Sequence, residues 1–131
     1  MPSIFTRIIE REIPAHILRE DDDFVAFLDV RPIREGHALV VPKTEIDDVF
    51  DLSDPLLGAL LPFARPVARA IQDVTKATRV GMAVIGLEVP HAHVHLVPID
   101  GLRDLDFRRA SPASQADLAA TAERIRAALS S

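Results

Sequence analysis

His91, His93 and His95 alternate with Ala92, Val94 and Leu96 in a seven-residue run that ends at Val97. Apolar residues at period two mark a half-buried strand, on which every second side chain points to the same face. Three imidazoles in register would form one row, with steps of roughly 6.5–7 Å. Imidazole titrates close to neutral pH, so it can act as nucleophile, base, acid or metal ligand. Packing alone offers no reason to place three of a chain's five histidines within five positions. Two chemistries fit the row. A His-x-His pair on a strand is a usual zinc spacing, with His37 or Asp29 able to supply a third ligand. Alternatively one histidine attacks phosphorus while its neighbours orient it or stabilise charge. Spacing alone does not choose between them.

The elements that must position these residues are legible in outline. Ile4, Phe5, Ile8 and Ile9 have helical spacing, which predicts a short helix over 4–12 that Pro14 closes. Residues 16–20 and 24–29 flank Asp21-Asp22-Asp23, which reads as a hairpin with a solvated acidic turn. Residues 37–41 form another apolar strand, entered through Gly36 and stopped by Pro42. Ser53-Asp54-Pro55 starts a long amphipathic helix. Its apolar stripe is Leu57, Leu60, Ala64, Val67, Ile71 and Val74, with Arg65, Arg69, Gln72 and Lys76 opposite. Pro62 and Pro66 fall inside it and predict a kink or break. Strands are predicted over 80–85 and 91–98. Ser111-Pro112 opens a closing helix to about residue 129, striped by Leu118, Ala122, Ile125 and Leu129. Most strand connections are too short for parallel crossovers, so the pattern is α+β, with one long helix and two shorter ones.

Composition narrows the partners. The 131 residues suit one domain, with 48% apolar and 27% charged side chains. The formal net charge of −5 argues against wholesale binding to nucleic acid or an anionic membrane. An anionic small substrate would then need local help from histidines and backbone N–H groups. With no cysteine, disulfides and thiolate zinc sites are excluded. The N-terminus has no signal-like apolar stretch and no run approaches membrane-spanning length, so a soluble cytoplasmic protein is the expectation.

The run 91–97 resembles the His-φ-His-φ-His-φ-φ motif of the histidine triad (HIT) superfamily, φ being apolar. The resemblance extends to Ile4-Phe5-Thr6-Arg7-Ile8-Ile9 with Glu12-Ile13-Pro14, to Glu20-Asp21-Asp22, Ala26-Phe27-Leu28-Asp29 and Pro32, and to residues 36–43, in the family's order. It covers roughly residues 3–98 and is nearest the nucleotide-binding hydrolase branch. It implies a HIT-like α+β fold with a five-stranded antiparallel sheet, one HIT domain over 1–131, and a homodimer formed through the long helix and an edge strand.

The same resemblance implies a mechanism. His93 would attack the α-phosphorus of a nucleotide conjugate, with its second ring nitrogen held by the carbonyl of His91. His95 would face the phosphate oxygens, and His37 would support the cluster. Asp29 would bind ribose hydroxyls. Phe5, Ile8, Ile13, Phe27, Val30, Leu39 and Val89 would enclose the base of a purine nucleotide conjugate such as one of AMP or GMP. The reaction would need neither cofactor nor metal. Two departures stand out. The polar residue that usually follows the glycine before the triad is Leu87 here, followed by Glu88, and the loop before Gly86 looks shortened. Leucine cannot hydrogen-bond a phosphate and glutamate repels one. The Cys-x-x-Cys zinc site of some members is replaced by Ser3 and Thr6, so no structural zinc is expected.

Overall fold

The computed structural model describes residues 2–131. Its centre is one five-stranded antiparallel sheet made of β1 (Ile17–Glu20), β2 (Phe24–Leu28), β3 (Ala38–Pro42), β4 (Arg79–Ala83) and β5 (Val94–Ile99), in the order β1-β2-β3-β5-β4. Three helices complete it: α1 (Ile4–Ile9), α2 (Asp54–Thr75) and α3 (Gln115–Ser130). The α+β class and the antiparallel sheet expected from the sequence are present. No helix among the described residues is long and apolar enough to cross a membrane.

Strand alternation divides the interior in two. Phe24, Ala26, Leu28, Ala38, Val40, Val94 and Leu96 face α2 and α3 and form the larger core with Leu60, Phe63, Val67, Ile71 and Ile125. The intervening residues Val25, Phe27, Leu39 and Val41 face the other way and pack against Phe5 and Ile8 of α1. The odd-numbered positions 93, 95 and 37 fall on this second face. The sheet is therefore apolar on both sides, and one side carries the histidines.

Each helix starts at a serine. The Ser3, Ser53 and Ser114 hydroxyls accept from the backbone N–H of Thr6 (3.0 Å), Leu56 (3.4 Å) and Asp117 (3.0 Å). α2 runs through Pro62 and Pro66 without the expected break. Both prolines lie toward solvent, so the carbonyls of Gly58 and Pro62 that lose their helical donors face water. On the other side Val67 and Ile71 are fully buried, worth roughly 1.5–3 kcal/mol each, which offsets proline costs of about 3 kcal/mol apiece. The buried stripe also differs from the expected one. Phe63 and Ala70 are buried, whereas Leu57 at the helix start is 37% exposed.

Several boundaries are shorter than the sequence suggests, each for a backbone reason. α1 stops at Ile9 because Arg11 adopts φ 65° and the N–H groups of Arg11 and Glu12 turn back to Ile8 and Arg7. α3 begins at Gln115, after an extended stretch whose Ser111 and Ala113 N–H groups donate to Pro32 O (3.3 Å) and Val30 O (3.1 Å). β4 ends at Ala83, opposite His95, so Val84 and Ile85 leave the sheet. β5 starts at Val94, three residues later than predicted. The N–H groups of His91 and Ala92 are drawn to Val89 O (2.8 Å) and Ile46 O (2.7 Å), outside the ladder.

Gly36 sets the approach to β3. Its φ is +98°, and a Cβ there would meet the Thr75 side chain at 3.0 Å and Ile71 at 3.4 Å. Only glycine lets the chain turn this close beneath α2 and deliver His37 to the head of the strand.

Candidate active site

The delayed start of β5 splits the histidine row. His93 and His95 stay on the α1 side of the sheet, while the His91 ring turns back under the N-terminus. All three rings are buried, as is His37. The His91 ring is bonded at both ends, with Nε2 2.7 Å from Pro42 O and Nδ1 2.7 Å from Ser3 Oγ. A carbonyl only accepts, so Nε2 carries the proton and Nδ1 accepts from the serine hydroxyl. Burial lowers the His91 pKa and favours this neutral form. Ser3 and Thr6 lie together at the start of α1. Both bond to Glu45, from Ser3 N (2.7 Å) and Thr6 Oγ1 (2.6 Å). These bonds pull its carboxyl below the usual range, the Ser3 N–H contributing most.

His93 is oriented by main chain. Its Nδ1 lies 2.7 Å from the carbonyl of His91, so Nδ1–H donates and the Nε2 lone pair is left uncommitted. Its ring is held edge-on by Phe5, with centroids 5.0 Å apart.

A second chain of bonds sets His95. The Ile33 N–H donates to His37 Nδ1 at 3.0 Å, so the His37 proton resides on Nε2. That nitrogen is 3.0 Å from His95 Nδ1 and donates to it, which leaves His95 with its proton on Nε2. The pair thus ends in an N–H donor beside the His93 lone pair, with the two rings 5.2 Å apart. Burial pushes both His37 and His95 down to about 4, with neighbouring histidines adding to the shift of His95. Both are neutral at physiological pH, as the donor chain requires.

Asp29 lies across from this pair. One carboxylate oxygen accepts from Arg31 N–H at 2.9 Å, and the other is 3.7 Å from His37 Nε2. Burial raises its pKa, opposed first by the Arg31 N–H. Asp29, His37 and His95 place one donor atom each within 4.8 Å of one another, a spacing that could suit a metal ion. Both nitrogens of His37 and Nδ1 of His95 are already hydrogen-bonded, so of the four ring nitrogens His95 Nε2 alone is uncommitted.

These side chains open into a cavity of about 460 Å³. Among the residues expected at a nucleotide site, Phe5, Asp29, His37, Leu39, Val89, His93 and His95 line it. Ile8 and Phe27 pack in the cluster beneath, with Ile13 against its edge, and support the floor without reaching the surface of the cavity. Val30 is 53% exposed on the outside and lines nothing there, because β2 ends at Leu28 and the alternation of that strand puts even-numbered positions away from the cavity. His91 acts on the cavity only through its carbonyl. Ile4, Arg31, Ile85, Gly86, Leu87, Glu88, Phe107 and Ala110 complete the wall. Leu87 and Glu88 could be anticipated from their place before the triad. Phe107 and Ala110 could not, since no local pattern ties them to the histidines. A separate hollow of about 310 Å³ lies between α3 and the β2–β3 connection, where Arg124 and Thr121 are already engaged by Glu35.

A HIT-domain family model matches residues 10–102. The chain belongs to the histidine triad family. It is 38% identical over 96 residues to the adenosine 5'-monophosphoramidase HNT1 of Saccharomyces cerevisiae, covering 72% of this chain and 61% of the yeast protein. The match therefore spans less than two-thirds of that relative. Protein hit of Bacillus subtilis is 34% identical over 108 residues, covering 77% and 73% of the two chains. Among solved structures, a hypothetical histidine triad nucleotide-binding protein of Sulfolobus tokodaii superposes with a TM-score of 0.86 at 26% identity, over 97% of this chain and 91% of the other. The fold expected from the motif is the fold of the family.

The buried neutral pair makes stability depend on pH. Unfolded histidine titrates near 6.5, whereas His37 and His95 do so near 4, so between these values the unfolded chain binds more protons. Stability should be fully present above about pH 6.5 and decline as pH falls toward 4. Urea midpoints measured at pH 7, 5.5 and 4.5 should fall in that order, with a shallower slope in His95→Gln. Equal slopes in the two proteins would refute the assignment.

Proposed function

We propose that this protein cleaves a nucleoside monophosphate conjugate through a covalent nucleotidyl-histidine on His93. The observation that carries the reading is the 2.7 Å bond from His93 Nδ1 to its own chain's carbonyl two residues earlier. It leaves the Nε2 lone pair facing a cavity whose wall also holds an N–H donor and a carboxylate. The yeast relative's adenosine 5'-monophosphoramidase activity favours an AMP conjugate such as a phosphoramidate. Adenylates and dinucleoside polyphosphates share the same reacting phosphorus.

In the first step His93 Nε2 attacks the α-phosphorus and forms a P–N bond. The bond to the leaving group breaks, and its electron pair departs with the leaving atom, which takes a proton from water. His95 Nε2–H donates to a phosphate oxygen as charge develops. In the second step water attacks phosphorus, the P–N bond returns its pair to Nε2, and a proton passes to solvent as the monophosphate leaves. Asp29 accepts from ribose hydroxyls, while Phe5, Leu39 and Val89 enclose the base. No step calls for a metal or an organic cofactor.

A non-catalytic nucleotide-binding role has one observation in its favour. Leu87, at the rim of the cavity, is 87% exposed and followed by Glu88, so that rim offers a phosphate no donor side chain. Intact mass after incubation with an adenosine phosphoramidate separates the readings. Wild type should show a mass increase of one adenylyl group on rapid quench. His93→Ala should show none and lose several orders of magnitude in turnover while still binding AMP. An adduct that persists in His93→Ala would rule out the nucleophile assignment. Binding without any adduct or turnover in wild type would favour the non-catalytic role.

The role of Asp29 is read from sugar discrimination. Asp29→Ala should weaken AMP binding by about 1–3 kcal/mol and dAMP binding by less, because only the ribose offers both hydroxyls to the carboxylate. Calorimetric titrations that show equal losses for both nucleotides would assign Asp29 to the fold instead.

The same reading includes a homodimer. β4 is an edge strand; Met82 on it and Val84 and Ile85 just after it expose apolar surface, as do Leu57 and Leu61 of α2. A second copy would cover a bare strand edge and these side chains together. Sedimentation should give twice the chain mass for wild type and a shift toward monomer for Leu61→Arg. A monomeric wild type at micromolar concentration would exclude this assembly.

A further inference from the structure

Beyond the triad itself, the environment of His95 depends on a segment outside the matched family region, which ends at residue 102. The Phe107 ring stands edge-on to His95, with centroids 4.6 Å apart and planes at 73°. It also stands edge-on to His37, at 5.9 Å and 77°. His95 is thus held between His93 on one side and Phe107 on the other, with its single bond to His37 enclosed by the same phenyl ring. Phe107 is half-buried and forms part of the cavity wall.

The segment that carries it is tied down at several points. Asp106 caps the short 3-10 turn Phe107–Arg109 through Arg108 N–H and holds the Arg108 guanidinium with both oxygens at 3.0 Å. Asp104 accepts from Arg34 at 2.9 Å and from Asp100 N–H at 2.8 Å. The next stretch is bonded to the β2–β3 connection through Ser111 N–H and Pro32 O. The carboxylates of this segment are therefore paired with Arg34, Arg108 and Arg109, and the group presented to the histidines is an uncharged ring.

We propose that Phe107 is a positioning residue, which keeps the His95 ring bonded to His37 so that its Nε2–H faces the reacting phosphate. The proposal rests on the role given to His95 above. A neutral imidazole can exchange its proton between nitrogens through water, or flip its ring, and either event removes the N–H donor facing the substrate, the first by leaving an acceptor there and the second by leaving a C–H. Phe107 opposes both. It denies water access to the His37–His95 bond and fills the space that a flipping ring would sweep. Loss of that cover would leave base and ribose contacts in place and degrade the chemical step, so the effect belongs in kcat more than in KM.

The experiment compares wild type, Phe107→Ala and Phe107→Leu by long-range proton–nitrogen spectra of the histidine rings without substrate, and by kinetics on an adenosine phosphoramidate. Wild type should show His95 as one Nε2–H tautomer. Phe107→Ala should show averaged nitrogen shifts of two tautomers, with kcat down on the order of 10-fold or more and KM nearly unchanged, since one donor misdirected from a developing charge costs at least that much. Phe107→Leu keeps apolar cover and should recover part of both. A folded Phe107→Ala with wild-type His95 shifts overturns the proposal, whatever its turnover. If Phe107→Ala fails to fold, wild-type shifts and kcat in Phe107→Leu overturn it equally. A wild type that turns over no substrate refutes the hydrolase reading alone, because the nitrogen shifts still decide what Phe107 does.

Discussion

A neutral imidazole has one lone pair and one N–H, and the chemistry of this site depends on which nitrogen holds which. Backbone groups make that choice. The carbonyl of His91 takes the Nδ1 proton of His93, and the N–H of Ile33 takes the Nδ1 lone pair of His37. The first leaves a lone pair aimed into the cavity. The second passes through His37 Nε2 to His95 Nδ1 and leaves an N–H donor beside it. Main-chain groups do not titrate and do not change rotamer, so the assignment is as stable as the strands and turns that carry it.

Much of the surrounding architecture exists to keep those two backbone groups in place. His91 can present its carbonyl to His93 because residues 91–93 lie outside the ladder, with the N–H groups of His91 and Ala92 drawn to Val89 and Ile46. The His91 ring is then pinned between Pro42 O and Ser3, which couples the start of α1 and the end of β3 to the same point. Ile33 reaches His37 because Gly36 turns the chain tightly beneath α2. A sheet buried on both faces supplies the rigidity, with the larger apolar cluster toward α2 and α3 and a smaller one under α1. Burial has a second consequence, because it holds His37 and His95 in the neutral form that the donor chain requires.

The cavity is assembled from segments far apart in the chain, and its two ends differ in character. Asp29 and Arg31 stand at one side, from the turn after β2. Leu87 and Glu88 stand at another, in the loop before the triad. An exposed leucine and a carboxylate give this side of the cavity no donor side chain. Phe107 closes the cavity from a third direction, and its contribution is steric and dielectric.

The amino-acid sequence by itself determined the class of the protein and the pattern that brings three of its histidines into one short run. The alternation around His91, His93 and His95, together with the ordered blocks from Ile4 to Lys43, was enough for the family, the antiparallel sheet and the long helix. These are local patterns, written in periods of two and 3.6 residues that any sequence window displays. Tertiary structure alone decided the rest. It took His91 out of the row, because long-range bonds from Ala92 to Ile46 and from His91 to Pro42 outweigh the local strand preference. It let α2 pass through two prolines, because the carbonyls they orphan face water while the opposite face is buried. It put Ile8, Ile13 and Phe27 beneath the cavity and Val30 outside it, since an apolar residue type does not say whether it meets a ligand or a neighbour. It brought Phe107 to His95, a contact between residues on separate segments that no periodicity encodes. Which nitrogen of each histidine carries the proton is settled last of all, by carbonyls and N–H groups that every residue possesses and that only the folded chain aims.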